Sequence, residues 1–155
     1  LYFTASDGTG SRLWKSDGTT AGTVLVSNTP ASPNRLAVVG STLFFRAGSG
    51  STGELWKSDG TTAGTTLVLD INGATNTGSN SIDELINFNG TLYFRANNGV
   101  DGLELWKSDG TAAGTVLVRD FNPTGSSTPQ FLTVVGNRLF LVANDGTTGN
   151  ELWVI

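Results

Sequence analysis

Short apolar runs bounded by glycine and small polar residues recur along the whole chain, and no stretch carries the spacing of an amphipathic helix. The runs therefore predict strands. A first set is Leu36 to Val39, Leu85 to Phe88 and Phe131 to Val135, each followed by a glycine turn at Gly40, Gly90 or Gly136. Asn89-Gly90 is the strongest hairpin signal among these turns, because both central residues of a type I′ turn need positive φ. A second set is Leu1 to Ala5, Leu43 to Ala47, Leu92 to Ala96 and Leu139 to Ala143. Here the apolar residues are consecutive, as in Leu43-Phe44-Phe45, instead of alternating with polar ones. A strand with one wet face alternates, so this run predicts sheets that are covered on both faces.

A third set carries tryptophan at positions 14, 56, 106 and 153. Glu-Leu-Trp-Lys-Ser-Asp-Gly-Thr begins at Glu54 and again at Glu104, a near copy begins at Arg12, and Glu151-Leu152-Trp153 is a truncated one. The fourth set follows at Thr23 to Val26, Thr65 to Leu69 and Thr115 to Val118, nine residues from tryptophan to the opening threonine in every complete copy. That constant length predicts a defined turn. Asp17, Asp59 and Asp109 are placed to accept hydrogen bonds from backbone amides just ahead, with Gly18, Gly60 and Gly110 supplying backbone freedom. The connectors to the next unit vary in length and are polar, with Pro30, Pro33, Pro123 and Pro129 among them.

Aligning the copies divides one repeat domain, 1–155, into units at about 1–33, 34–82, 83–129 and 130–155. The first and last are incomplete, so the units hold three, four, four and three strands, fourteen in all. Four-stranded antiparallel sheets of about 47 residues, buried on both faces and joined by crossing connectors, predict an all-β, β-propeller-like array. A sandwich-like array and a stacked solenoid are the alternatives. Fourteen strands make about three and a half blades. The expected object is an arc of a larger ring or a ring closed by oligomerisation, since an open blade edge and face recruit partners. The chain starts at Leu1 and contains no methionine, which suggests a piece of something longer.

Composition narrows the chemistry. With no cysteine and no histidine, disulfides, thiol chemistry and histidine-based catalysis are excluded. Only 14% of residues are charged and the formal net charge is −4. The nine Lys and Arg residues are spread singly along the sequence, so nucleic acid is not an expected partner. No apolar run approaches the ~20 residues of a membrane-spanning helix, and no signal-peptide pattern is expected within these residues.

The residues Glu-Leu-Trp-Lys-Ser-Asp-Gly-Thr-Thr-Ala-Gly-Thr, with Leu-Val-Leu-Asp-Ile after them, resemble the ELWxxDGT repeats of large bacterial surface and secreted proteins. The resemblance covers essentially the whole chain. It implies a propeller-like, exported repeat protein, extracellular or at the cell surface, with no reaction and no catalytic residue. The first unit departs from the pattern, with Arg12 where later units have Glu54, Glu104 and Glu151.

Several residues invite a chemical reading, each set against a structural one. Residues 48–53 satisfy G-x-G-x-x-G, but a dinucleotide fingerprint lies between a strand and a helix, and this one joins two strands. Asp17, Asp59 and Asp109 could be suspected of holding calcium, yet each turn offers one carboxylate where calcium takes 6 to 8 oxygens. A structural turn is the favoured reading, with no cofactor. Trp14, Trp56, Trp106 and Trp153 could stack on sugars, but their regular spacing within strands favours packing between sheets. Lys15, Lys57 and Lys107 should lie across the adjacent sheet with their charges in water. Asp83-Glu84 is the only adjacent acid pair. Neighbours on a strand point to opposite faces, so a solvated strand entrance is expected in place of a glycosidase pair. Asn89-Gly90-Thr91 matches a glycosylation sequon on a turn.

The expected function is that of a non-catalytic exported repeat protein, a scaffold or a binding and adhesion module with protein partners or self-association through blade edges. A carbohydrate-binding, lectin-like propeller is the alternative. A glycan hydrolase or lyase is less favoured, because its best candidates, Asp83, Glu84, Asp101 and Arg35, form no recognised constellation.

Overall fold

The computed structural model describes residues 1–48, 52–73 and 81–155. The central part of the G-x-G-x-x-G match and most of the connector after Asp70 lie outside the described residues. Fourteen strands and no helix are present among those described. The first sheet is β1 (Tyr2–Ser6), β2 (Ser11–Lys15) and β3 (Val24–Ser27). The second is β4 (Asn34–Val39), β5 (Thr42–Ala47), β6 (Glu54–Ser58) and β7 (Thr66–Leu69). β8 (Asp83–Phe88), β9 (Thr91–Asn97), β10 (Leu103–Ser108) and β11 (Val116–Arg119) make the third. The fourth holds β12 (Gln130–Val135), β13 (Arg138–Asn144) and β14 (Asn150–Val154). Every sheet is antiparallel, with strands paired in chain order, and each remains a separate open sheet.

The opening strands of units two to four begin one or two residues earlier than the apolar pattern places them. Their first polar residues pair across a bulge, where the register shifts between Asn34 and Ala37, Asp83 and Ile86, and Gln130 and Thr133. Inside each bulge a non-glycine residue takes positive φ: Arg35 at 54°, Glu84 at 56° and Phe131 at 58°. An extra residue in one strand bends it and re-aims its side chains. The hydrophobic pattern cannot register this, because the residues involved are mostly polar.

Consecutive apolar residues are covered on both sides, as the second strand of unit two shows most directly. Leu43, Phe44 and Phe45 are 1%, 2% and 0% exposed. Leu43, Phe45 and Ala47 pack with Leu13 and Val26 of the first sheet. Phe44 points the opposite way, into a cluster with Leu92, Phe94, Ala96 and Trp106 of the third sheet. The pattern repeats once more, with Phe88 and Leu105 packed on Leu139, Leu141 and Ala143 of the fourth. The sheets are therefore stacked in sequence order, with β4 beside β8 and β8 beside β12. Among the described residues no contact of that extent joins the fourth sheet to the first.

Polar joints recur across these interfaces. Lys15 Nζ donates to the Gly60 carbonyl at 2.8 Å and Lys57 Nζ to the Gly110 carbonyl at 2.7 Å. The lysines thus end on main-chain oxygens of the next sheet, where the sequence alone suggested charges left in water. Lys107 is exposed. Thr62 Oγ1 returns a bond to the Val26 carbonyl at 2.7 Å, and Ala112 stands at the matching place in the third unit. No helix among the described residues is long and apolar enough to cross a membrane.

Because Phe44 and Phe45 fill opposite interfaces, truncating either should be costly. Phe44→Ala and Phe45→Ala are each expected to lower the unfolding free energy by about 3–5 kcal/mol, read by urea denaturation. A sheet covered on one face only would make one of the two substitutions cheap.

Candidate functional site

The polar groups of the repeated motif form a closed set of hydrogen bonds. In the second copy, Asp59 Oδ1 accepts from the Thr61 amide at 2.9 Å and from Thr61 Oγ1 at 2.7 Å. Ser58 Oγ takes the Gly60 amide at 3.0 Å and meets Thr65 Oγ1 at 2.8 Å. Thr61 closes the far side, its Oγ1 accepting from the Gly64 amide at 3.0 Å and its carbonyl from Thr65 Oγ1 at 2.7 Å. The same aspartate bonds occur at Asp17 with Thr19 and at Asp109 with Thr111. These threonine bonds hold the Asp17, Asp59 and Asp109 carboxyls below the ordinary carboxylate range. No group of three or more metal-ligating side chains occurs among the described residues. The glycine of Ala-Gly-Thr also has a reason: a Cβ at Gly64 would stand 2.1 Å from Asp59 Oδ1.

The tryptophan rings pack to differing extents and two of the glutamates, Glu54 and Glu104, hold connectors, whereas Glu151 is exposed. Trp106 is buried between the second and third sheets, and Trp56 packs between the first and second. Trp153 lies against the Phe121 ring at 4.9 Å, with the Arg119 guanidinium 4.6 Å above it and its Nε1 donating to the Ala143 carbonyl at 3.1 Å. Trp14 is half-buried in the first sheet. Glu104 is fully buried and anchors the connector to the next unit. Its carboxylate accepts from the Ser127 amide at 2.7 Å, the Phe121 amide at 3.3 Å and the Ser127 hydroxyl. Burial pushes the Glu104 carboxyl up, against the pull of those bonds. Glu54 takes the Ile71 amide at 3.3 Å in the same manner. Arg12, at the matching position of unit one, donates from Nη1 to the Ser11 carbonyl at 3.0 Å.

The isolated candidates fall in separate places. Asn89 is exposed at the β8–β9 turn, where it and Gly90 both have positive φ, 51° and 78°. Asp101 belongs to the β9–β10 turn and takes Asn98 Nδ2 at 2.7 Å. Asp83 and Glu84 are not a solvated strand entrance with simple alternation, because the bulge intervenes. Asp83 Oδ1 meets Arg35 Nε at 2.9 Å and its Oδ2 meets Arg95 Nη2 at 3.3 Å, while Glu84 Oε2 accepts the Leu132 amide at 3.2 Å. The two acids thus tie different sheets together, Asp83 joining units two and three and Glu84 joining units three and four.

Around Asp83 lies a polar cleft of about 560 Å³, lined by Asn34, Arg35, Arg46, Ser81, Asp83 and Arg95. Arg46 and Arg95 hold equivalent positions in successive units, each paired in register with the polar residue that opens the preceding strand, Asn34 and Asp83. The fourth unit has Val142 there, opposite Gln130. Arginines scattered in sequence converge in space, and linear spacing hid this. The visible signal was the shared place of Arg46 and Arg95 in the aligned second strands.

Two outcomes follow from the turn chemistry. Gly64→Ala should destabilise the chain by about 1–3 kcal/mol, because the methyl forces Asp59 off its threonine bonds; thermal unfolding measures it. Stability should also have an acid limb. Asp145, held by the Thr148 and Thr147 amides, has its carboxyl lowered from 3.8 to about 2. A carboxyl lowered in the folded state stabilises fully above its unfolded value and loses that contribution as pH falls through the folded one. Glu104, shifted upward, acts oppositely, its contribution shrinking as pH rises through 4.5 towards the folded value. Asp145→Asn should therefore shallow the fall in Tm between about pH 4 and pH 2, and an unchanged slope would refute the assignment.

Comparison with protein-family models, with curated proteins and with solved structures finds no match to this chain.

Proposed function

We propose that the chain is a non-catalytic, propeller-like repeat array that serves outside the cell as a scaffold or binding module. The observation that carries this reading is the repeated joint, in which Lys15 and Lys57 of successive units each end on the glycine carbonyl of the next Ser-Asp-Gly-Thr turn. The most distinctive residues of the motif are engaged in building and joining sheets. Stacked four-stranded sheets with both faces covered are the arrangement that propeller blades use. Export and a cell-surface setting follow the resemblance to ELWxxDGT repeats.

Self-association is the mode of action this reading favours. Leu152 and Val154 on β14 of the fourth sheet are 72% and 53% exposed, and Phe131, on the far side of β13, is 69% exposed. At the first sheet, Gly18 has open space where Gly60 meets Tyr2 and Lys15 and Gly110 meets Phe44 and Lys57. The two end faces offer the same kinds of surface that cover one another between units. Sedimentation velocity over a concentration series should show reversible association of the chain, weakened by Leu152→Glu. A chain that stays monomeric throughout would remove self-association from the proposal. A carbohydrate-binding role is the second reading, favoured by the polar cleft at Asp83.

A further inference from the structure

We propose that the cleft between the second and third sheets binds a small oxyanion, a carboxylate or phosphate group carried on a polar ligand. This goes beyond the scaffold reading and does not depend on it. Three of the nine cationic side chains of the protein line this one cleft, and Asp83 is the single acid in its wall among the described residues. The local charge is positive in a chain whose formal net charge is −4. Residues 49–51 and 74–80 contain no Asp or Glu, so they supply no charge to neutralise it. A concave site of one sign focuses the field on an incoming ion of the other.

The donors are held in place before any ligand arrives. Asp83 bridges Arg35 Nε and Arg95 Nη2, and Arg95 Nη1 donates to the Pro129 carbonyl at 3.2 Å. Arg95 is only 17% exposed, and its Nε is buried without a partner among the described residues. A guanidinium held this far from water is poorly solvated, and an anion in the cleft complements its charge. Arg35 is 59% exposed, so the side of its guanidinium away from Asp83 faces the opening. Planar guanidinium forks match carboxylate and phosphate oxygens better than any other side chain. The bulge at Arg35 aims this residue, since its positive φ turns the side chain out of the ordinary strand alternation. A volume of about 560 Å³ accommodates a monosaccharide-sized ligand.

The full cationic set is not repeated at the equivalent positions of the next interface, between the third and fourth sheets. There Arg95 keeps the place of Arg46, but Glu84 stands in the place of Arg35, Gln130 in that of Asp83 and Val142 in that of Arg95.

The test is a titration of the 155-residue chain, followed through the arginine Nε–H resonances, with sodium phosphate and with sodium glucuronate. D-glucose is the neutral control, and ionic strength is held constant with sodium chloride. Saturable shifts at Arg35 and Arg95 with either anion, and none with glucose, are expected; saturation by one anion alone identifies which oxyanion the cleft takes. Arg35→Gln should weaken binding about tenfold, while Arg138→Gln, on an exposed hairpin, should leave it unchanged. Should Arg35→Gln fail to fold, the wild-type titration decides alone. Linear, non-saturating shifts, an equal response to glucose, or undiminished binding in folded Arg35→Gln would overturn the proposal.

Discussion

Burial of both faces of every interior sheet is the constraint on which the rest of this structure depends. A strand such as β5, with Leu43, Phe44 and Phe45 all enclosed, has no wet side, so the sheet that contains it cannot be stable alone. Its stability resides in two interfaces, one with the sheet before and one with the sheet after. Apolar area supplies most of the free energy at those interfaces, and polar joints such as Lys57 on the Gly110 carbonyl fix how the sheets are placed. A misplaced neighbour would leave that buried carbonyl without its donor.

The motif that dominates the sequence is best understood as the means of meeting this constraint. Serine, aspartate and the threonines hold the turn, and the glycine at position 64 makes room for the aspartate. The leucine and tryptophan face opposite neighbours, the lysine reaches forward, and Glu104 holds the connector that leads to the next sheet. With those positions taken, distinctive chemistry is left to residues that differ between units. The cleft at Arg35, Asp83 and Arg95 is assembled from such residues.

The architecture was legible to the extent that backbone and apolar pattern determine it. All fourteen strands, their division among four sheets and the double covering of β5 could be read from runs of Leu, Phe and Val with glycine turns between them. The aspartate bonds of the turns were readable too, because they are local. What escaped were features set by strand register and by contacts between units. The bulges at Arg35 and Glu84 lie in polar residues with no periodic signature, so simple strand alternation does not give the orientation of Asp83 and Glu84. The convergence of Arg46 and Arg95 depends on which strands become neighbours, and the partner of Lys15 lies 45 residues away.

That lysine ends on a main-chain oxygen, and this has an evolutionary corollary. A peptide carbonyl is the same whatever side chain it carries, so the acceptor half of the joint cannot be lost by substitution unless the backbone itself moves. Gene duplication copies donor and acceptor together, and the new copy fits between its parents without any compensating change. Lengthening such a protein is then chiefly a matter of recombination, while the variable bulge and cleft residues stay free to diverge from one copy to the next.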